Sequence, residues 1–316
     1  MKIRANNIEL EVQVSGERSD AQGQHKPVVL LVMGLGMQLT AWPPALVQAL
    51  VEAGYWVVRF DNRDAGLSQR LDGLGTPNLL WESLKHAFKL RLQPPYSLHD
   101  MALDVIGLLD ALQVARAHLV GVSMGGMIAQ RVALAAPERT LSLSSIMSSS
   151  GARHLPGPLP HIARVLLARP SGLHEPALIA HGVKLFTLLS GPGFAVDAAA
   201  LRQQVTAAVR RAHTPRGTAR QLVAVLADDA RCALLPRLQT PTLVVHGKAD
   251  PLLPYACGVD TARRIPGAQL LGIEGLGHDL PPGVLTPLAD ALLAHFEAAQ
   301  RAPSPAAGQV LATIGK

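Results

Sequence analysis

The sequence has few of the features that mark secreted, metal-binding or membrane-spanning proteins. Its two cysteines, Cys232 and Cys257, have a spacing that fits neither a disulfide framework nor a zinc site. No His-x-x-x-His or Cys-x-x-Cys pair is present. The longest apolar runs, such as residues 28–33, are far shorter than the roughly 18 residues that span a bilayer. We therefore expect free thiols, no metal ion and no transmembrane helix.

The N-terminus also lacks the apolar core of a signal peptide. Lys2, Arg4 and two asparagines occupy the positions where that core would lie, which predicts a cytoplasmic protein. With 48% hydrophobic and 16% charged residues, the composition is typical of a globular enzyme. Proline and small residues dominate residues 301–316, which predicts a flexible tail.

Acidic residues are scarce in one segment, residues 148–232. It holds ten basic residues against four acidic ones, a difference that accounts for the whole formal net charge of +6. Five of the arginines lie in a window without any acidic residue: Arg202, Arg210, Arg211, Arg216 and Arg220. Their spacing is not one helical stripe and Pro215 interrupts any single helix, so we expect a solvated face. The competing hypothesis is attraction of anionic substrates. Confinement of the charge to this segment disfavours a nucleic-acid partner.

Apolar runs rich in β-branched residues alternate with amphipathic stretches along most of the chain. Predicted strands lie at residues 8–14, 28–32, 56–60, 118–122, 141–147, 242–246 and 269–273, and predicted helices at residues 41–53, 98–112, 124–136, 255–265 and 287–299. This alternation predicts an α/β fold with a mostly parallel sheet flanked by helices. Ligands of such sheets bind beyond the carboxyl ends of the strands.

The alternation stops over residues 148–232, where only helical stretches occur. The predicted organisation is therefore a core formed by residues 1–147 and 233–300, with residues 148–232 inserted as a helical lid. Its apolar residues are candidates for walls of a substrate pocket, or alternatively for packing against the core. They are Leu166, Leu185, Phe186, Leu189 and Phe194.

One motif carries nucleophilic chemistry. An apolar strand runs into Gly121-Val122-Ser123-Met124-Gly125, and a helix-forming sequence follows at once. This is the strand–turn–helix context of a nucleophile elbow. Glycines on both sides of the serine permit a backbone turn too tight for side chains. Ser123 is therefore the predicted nucleophile, at a helix N-terminus that favours developing negative charge.

A serine nucleophile needs a base and an orienting acid, which in this architecture follow it along the chain, acid first. Asp250 and His278 each lie in a loop after a late predicted strand. We expect the backbone N–H of Met124, directly after the nucleophile, to stabilise the oxyanion. A second donor should come from the glycine-rich loop after the strand at residues 28–32, and we assign it to the N–H of Leu35.

Taken together, these motifs resemble those of α/β-hydrolase-fold proteins with a helical cap. The matching segments are residues 33–36, 61–68, 121–126, 246–251 and 277–279. The loop Asp-x-Arg-Asp-x-Gly-x-Ser, from Asp61 to Ser68, is similar to that of aclacinomycin-methylesterase-like serine esterases. Met33 departs from the histidine that many relatives carry before the glycine, but the oxyanion donor is a backbone group and is unaffected.

The resemblance and the triad together predict a cofactor-independent serine esterase that acts on a small-molecule ester through an acyl-enzyme. Cofactor-free haloperoxidase or perhydrolase activity, carbon–carbon bond hydrolysis and thioester cleavage use the same triad and stay open. A non-catalytic ligand-binding version of the fold is a further alternative. The motifs define neither the acyl and alcohol groups nor the oligomeric state.

Overall fold

Eight strands form one sheet in the computed structural model, which describes residues 1–168 and 170–301. Their order across the sheet is β1-β2-β4-β3-β5-β6-β7-β8. The strands are β1 (Lys2–Ala5), β2 (Ile8–Ser15), β3 (Val28–Val32), β4 (Trp56–Phe60), β5 (Ala117–Val122), β6 (Thr140–Ile146), β7 (Thr242–Gly247) and β8 (Gln269–Ile273). Strands β4, β3, β5, β6, β7 and β8 run parallel, and β1 and β2 form an antiparallel edge.

The central strands are apolar runs because both of their faces are covered. Every residue of β3, β5 and β7 is buried, as expected for parallel strands packed between helices. On one face lie α3 (Leu98–Ala111) and α4 (Met124–Ala135), and on the other α1 (Pro44–Glu52) and α10 (Pro282–Arg301). The predicted sheet flanked by helices is thus confirmed, and its parallel strands direct their carboxyl ends to one edge.

Helices α5 (Pro160–Leu167), α6 (Glu175–Leu189), α7 (Ala198–Arg211) and α8 (Pro215–Leu226) lie between β6 and β7. In the described part of the predicted inserted segment the regular secondary structure is therefore helical, although the exact boundaries of the segment stay a prediction. The two remaining helices are α2 (Leu79–Ala87), which contacts α8, and α9 (Ala256–Arg264) beside β7. Arg169 and most of the predicted tail, residues 302–316, lie outside the described residues.

Local sequence signals explain where several helices begin. Ser97 and Asp100 form a reciprocal capping box at the start of α3, and the Asp197 carboxylate accepts two backbone N–H groups at the start of α7. Pro215 occupies the first position of α8, where a missing N–H costs nothing. The interruption that Pro215 predicts is therefore the boundary between α7 and α8. None of the described helices is long and apolar enough to cross a membrane.

Candidate active site

Ser123 lies at the sharp turn between β5 and α4. Its φ of 56° and ψ of −121° are unusual for a residue with a side chain. A Cβ atom on Gly121 would lie 2.2 Å from the carbonyl oxygen of Gly125, and one on Gly125 would lie 2.0 Å from that of Val32. Only glycine fits at either position, so the two glycines of the motif are required by the close packing of the turn.

The loop after β3 lies directly against this turn. A Cβ atom on Gly34 would be 3.2 Å from the Cβ atom of Ser123, so the backbone passes the serine at van der Waals distance. Among the described residues, no hydrogen bond uses the N–H of Leu35. Met124 is the first residue of α4, where backbone N–H groups have no partner within the helix. Both predicted oxyanion donors therefore lie in segments adjacent to Ser123.

Asp250 and His278 are joined by a hydrogen bond. His278 Nδ1 lies 2.7 Å from Asp250 Oδ2, and the other carboxylate oxygen accepts the N–H groups of Leu252 and Leu253, each at 2.8 Å. Burial pushes the pKa of Asp250 up, but the neighbouring His278 and His246 outweigh it and hold that pKa well below its usual range. The carboxylate is thus ionised and fixed in orientation beside the histidine.

His246 is the second histidine beside this carboxylate. It is fully buried at the end of β7, and its Nε2 lies 2.7 Å from the carbonyl oxygen of Leu253 and 3.4 Å from Asp250 Oδ2. Because a carbonyl only accepts, Nε2 must carry the proton. His246 therefore acts as a hydrogen-bond donor within the loop.

The structure brings Asp250 and His278 into contact, and Ser123 lies at the same carboxyl edge of the sheet. No hydrogen bond between Ser123 and His278 occurs among those of the described residues. Hydrogen bonds of this kind often tighten only in the complex with substrate. The sheet thus brings the three residues to one edge. The described hydrogen bonds join Asp250 to His278 but do not join His278 to Ser123.

The end of α6 is attached to the loop that carries His278. The backbone N–H of His278 donates to the carbonyl oxygen of Leu189 at 2.7 Å, and the N–H of Gly193 donates to that of Gly275 at 2.9 Å. Leu189 is also buried. The backbone of Leu189, one of the five predicted pocket residues, is therefore in direct contact with a predicted triad residue.

The other four predicted pocket residues have different surroundings. Leu185 and Phe186 are half-buried on α6, whereas Leu166 on α5 is 37% exposed. Phe194 packs near α10, where a Cβ atom on Gly283 would lie 3.0 Å from its ring. A role of these side chains in binding substrate stays a prediction.

The segment after β4 forms a buried polar network. Asp61 is fully buried and accepts the N–H of Leu39 at 2.6 Å and a guanidinium N–H of Arg211 at 2.7 Å. The next side chain, Asn62, donates to the carbonyl oxygen of Met33 at 2.8 Å. This segment therefore holds the loop beside Ser123 in place, a role that the sequence analysis did not assign.

A second carboxylate of the same segment forms a buried ion pair with α8. Asp64 accepts two N–H groups of Arg220, at 2.7 and 2.8 Å, together with the hydroxyl of Tyr96 at 2.8 Å. Arg220 and Asp64 are each about 1% exposed. Burial alone would raise the pKa of Asp64, but Arg220 and the other donors lower it below its ordinary value.

The predicted solvated arginine face is therefore wrong for Arg220 and Arg211. Both point into the protein because each neutralises a buried carboxylate of the segment after β4. The expectation is right for three others: Arg202, Arg210 and Arg216 are exposed. The acidic partners lie about 150 positions earlier in the chain, so a local count of charges cannot reveal them.

No cluster of metal-binding side chains occurs in the described part of the chain. Cys232 and Cys257 are both free thiols, as the sequence predicts, and burial raises the pKa of Cys257 to about 11. The thiolate form of Cys257 is thus disfavoured, so Cys257 is not an obvious second nucleophile.

Comparison with known proteins agrees with this architecture. Residues 27–281 match the alpha/beta hydrolase fold family. Rhodomycin D methylesterase DnrP of Streptomyces peucetius is 33% identical over 290 residues, which cover 86% of this chain and 91% of that protein. Rhodomycin D methylesterase DauP of Streptomyces sp. (strain C5) is 33% identical over 317 residues, covering 94% and 98%.

A solved structure shares the same fold at lower sequence identity. The meta-cleavage product hydrolase CumD from Pseudomonas fluorescens IP01 superimposes with a TM-score of 0.72 at 21% identity, covering 95% of this chain and 98% of that one. The family match, the two methylesterases and this superposition confirm the resemblance found in the motifs. The chain belongs to the α/β hydrolase fold family.

Proposed function

We propose that this protein is a serine hydrolase that cleaves carboxylic esters through an acyl-enzyme intermediate. In this proposal Ser123 is the nucleophile, His278 the general base and acid, and Asp250 the group that orients His278. The backbone N–H groups of Leu35 and Met124 stabilise the oxyanion. No cofactor takes part.

The observation that best supports this proposal is the geometry of the turn at Ser123. A backbone in a sparsely populated region, held by two tight glycine contacts, is typical of a site where strain serves function. It lies beside a loop with an unused backbone N–H and at the same sheet edge as an ionised Asp250 hydrogen-bonded to His278. These features together support acyl transfer as the reaction at that edge.

The reaction follows from these positions. His278 takes the proton of the Ser123 hydroxyl as the oxygen attacks the ester carbonyl, and the two N–H groups donate hydrogen bonds to the carbonyl oxygen as it gains negative charge. The tetrahedral intermediate then expels the alcohol, which receives its proton from His278. A water molecule, activated by the same histidine, hydrolyses the acyl-enzyme and regenerates the serine.

The relatives favour a methyl ester as the substrate. The two proteins at 33% identity are methylesterases that act on rhodomycin D, and alignment with them extends over most of this chain. We infer that this protein releases methanol from the methyl ester of a larger acid. Residues 148–232 would form the cap over that acid, because α6 ends against the His278 loop.

Active-site labelling tests the proposal. A fluorophosphonate probe should label the wild-type protein and the Ser149→Ala variant, whose altered serine is a buried residue after β6, but not the Ser123→Ala variant. The wild type should also hydrolyse p-nitrophenyl acetate with a burst that matches the concentration of labelled sites. Labelling of Ser123→Ala, or turnover by it within about tenfold of wild type, would contradict the proposal.

A further inference from the structure

The N–H groups of the loop after β3 have different hydrogen-bond partners. The N–H of Gly36 donates to Oε1 of Gln221 at 2.8 Å, and that of Met37 donates to the carbonyl oxygen of Gly34 at 3.2 Å. The N–H of Leu35, directly before Gly36, takes part in no hydrogen bond of the described residues. The loop thus contributes one N–H to α8 and leaves the preceding one unused.

Gln221 is fully buried on α8 and both ends of its amide are occupied. Oε1 accepts from Gly36, and Nε2 donates to the carbonyl oxygen of Arg63 at 2.7 Å. Because one partner only donates and the other only accepts, the amide has a single satisfied orientation. The side chain is therefore a fixed bridge between the loop after β3 and the segment after β4.

The same helix contacts Gly36 through a second side chain. Gly36 has a φ of +66°, and a Cβ atom at this position would lie 2.8 Å from the hydroxyl oxygen of Thr218. A glycine in this conformation is free to adopt many others when its neighbours do not restrain it. The contacts with α8 therefore restrict the backbone conformation of the loop at Gly36.

We propose that Gln221 is a positioning residue for the oxyanion donor, a role that rests on the proposed function above. By accepting the N–H of Gly36, it fixes the peptide plane between Leu35 and Gly36. Through the backbone torsions of Leu35 it thereby restricts the adjoining plane, which carries the Leu35 N–H. Donors of an oxyanion hole must be placed before the reaction, and a displacement of about 1 Å can cost 10²-fold in rate. A helix of the inserted segment therefore completes a part of the site that belongs to the core.

Three variants at this position separate hydrogen bonding from packing. Gln221→Glu keeps an oxygen that accepts from Gly36, and its neutral carboxylic acid, which burial favours, can donate its O–H to the carbonyl oxygen of Arg63. Gln221→Met keeps the length of the side chain and removes the acceptor. Gln221→Asn keeps the amide on a chain one methylene shorter, and it serves if the methionine variant does not fold. The matched control is Val223→Ala, since Val223 is a fully buried residue of the same helix that has no part in the loop contacts.

For each variant we would measure the melting temperature, kcat and KM for a p-nitrophenyl ester, and affinity for a trifluoromethyl ketone. The Ser123 oxygen attacks the carbonyl carbon of this ketone. The former carbonyl oxygen becomes an alkoxide that lies in the oxyanion hole. Gln221→Met and Gln221→Asn should lose about 10- to 100-fold in kcat and a similar factor in ketone affinity, with KM within about threefold. Gln221→Glu and Val223→Ala should keep kcat within about threefold of wild type.

Two results would overturn the proposal. One is a folded Gln221→Met or Gln221→Asn variant with wild-type kcat and ketone affinity. The other is an equal loss of kcat in these variants and in Val223→Ala, because that would reflect general destabilisation. Both results require an active wild-type enzyme. A wild type without esterase activity or fluorophosphonate labelling would instead refute the proposed function, and the Gln221 proposal with it.

Discussion

The ion pair between Arg220 and Asp64 offers a strong test of the structure, because the sequence favours a solvated face there. We expect Arg220→Leu to destabilise the protein substantially. The substitution leaves the Asp64 carboxylate buried with two remaining donors, Tyr96 and the N–H of Leu71, but without a countercharge. Removing one partner of a buried pair typically costs 3–5 kcal/mol. With two donors remaining, we expect the free energy of unfolding to fall by about 3 kcal/mol, which lowers the melting temperature by roughly 6 °C.

The pH dependence of this loss has a definite sign. In the wild type the pKa of Asp64 lies below its ordinary value, so the pair contributes stability above the unfolded pKa, and this contribution falls as pH drops through the folded pKa. In Arg220→Leu, burial without a countercharge raises the pKa of Asp64. The variant's carboxylate can then bind a proton and become neutral in mild acid. The difference in melting temperature between the two proteins should therefore be largest at pH 7 and should narrow towards pH 4.

The matched control is Arg210→Leu. Arg210 forms an ion pair with Glu175 at 2.8 Å, but the two side chains are 67% and 43% exposed, and such pairs contribute at most about 1 kcal/mol. Thermal unfolding of both variants by circular dichroism measures the difference. If Arg220→Leu melts within about 2 °C of Arg210→Leu at pH 7, the reasoning about the buried pair is refuted.

Four further predictions concern activity. Asp250→Asn should lower kcat by about 10⁴-fold, as replacement of a triad acid does elsewhere, and a loss below tenfold in steady-state kinetics would contradict its assignment. His278→Ala combined with Ser123→Ala should be no slower than Ser123→Ala alone, because the residues act as a unit; additive losses would argue otherwise. Phe186→Ala should change the ratio of kcat/KM between short and long acyl esters more than it changes the melting temperature, and an unchanged ratio with a large loss of stability would indicate packing instead. Raising ionic strength from about 0.01 to 0.15 M should affect kcat/KM for a carboxylate-bearing and a neutral ester alike, since Arg211 is neutralised internally; a selective fall for the charged ester would support steering.

The parallel core could be predicted because its signals are local. The strands at Val28–Val32, Trp56–Phe60 and Gln269–Ile273 are found at the predicted residues. Val28–Val32 is buried along its whole length and is therefore an uninterrupted apolar run. Gln269–Ile273 lies at the edge of the sheet and is only partly buried, but its short apolar stretch still marks it as a strand. The edge strand Lys2–Ala5 was not predicted. Only one of its four residues is buried, so a polar sequence satisfies it and leaves no apolar pattern to recognise.

Helix α10 shows a limit of reading proline as a boundary. The sequence predicts that this helix begins at residue 287, but it begins at Pro282 and contains Pro287 as its sixth residue. A proline this close to a helix start removes one early hydrogen bond and leaves the later ones intact. Val284 in the first turn is fully buried, and Leu288, Leu292 and Phe296, which follow Pro287, pack in the same core as the sheet residues.

The candidate site was predictable where chemistry dictates the spacing of residues. It was unpredictable where a contact joins residues that are far apart in the sequence. Ser123 could be assigned from flanking glycines, and Asp250 and His278 from loops that follow strands. Nothing in the sequence near Gln221 indicates its contact with Gly36, because the two residues are 185 positions apart. Such a contact exists only once α8 has packed against the core.

The contacts that hold residues 148–232 to the rest of the protein include two ion pairs and a backbone hydrogen bond to His278. These contacts have a consequence for protein engineering. Exchanging this segment between relatives looks like a simple route to new ester specificity. A chimera joined only at the two ends of the segment, however, would keep the carboxylates of Asp61 and Asp64 in the recipient. The donor segment would have to supply cations at the positions of Arg211 and Arg220 and a carbonyl oxygen for the N–H of His278. Grafts should therefore be chosen by these three contacts before any pocket residue is considered.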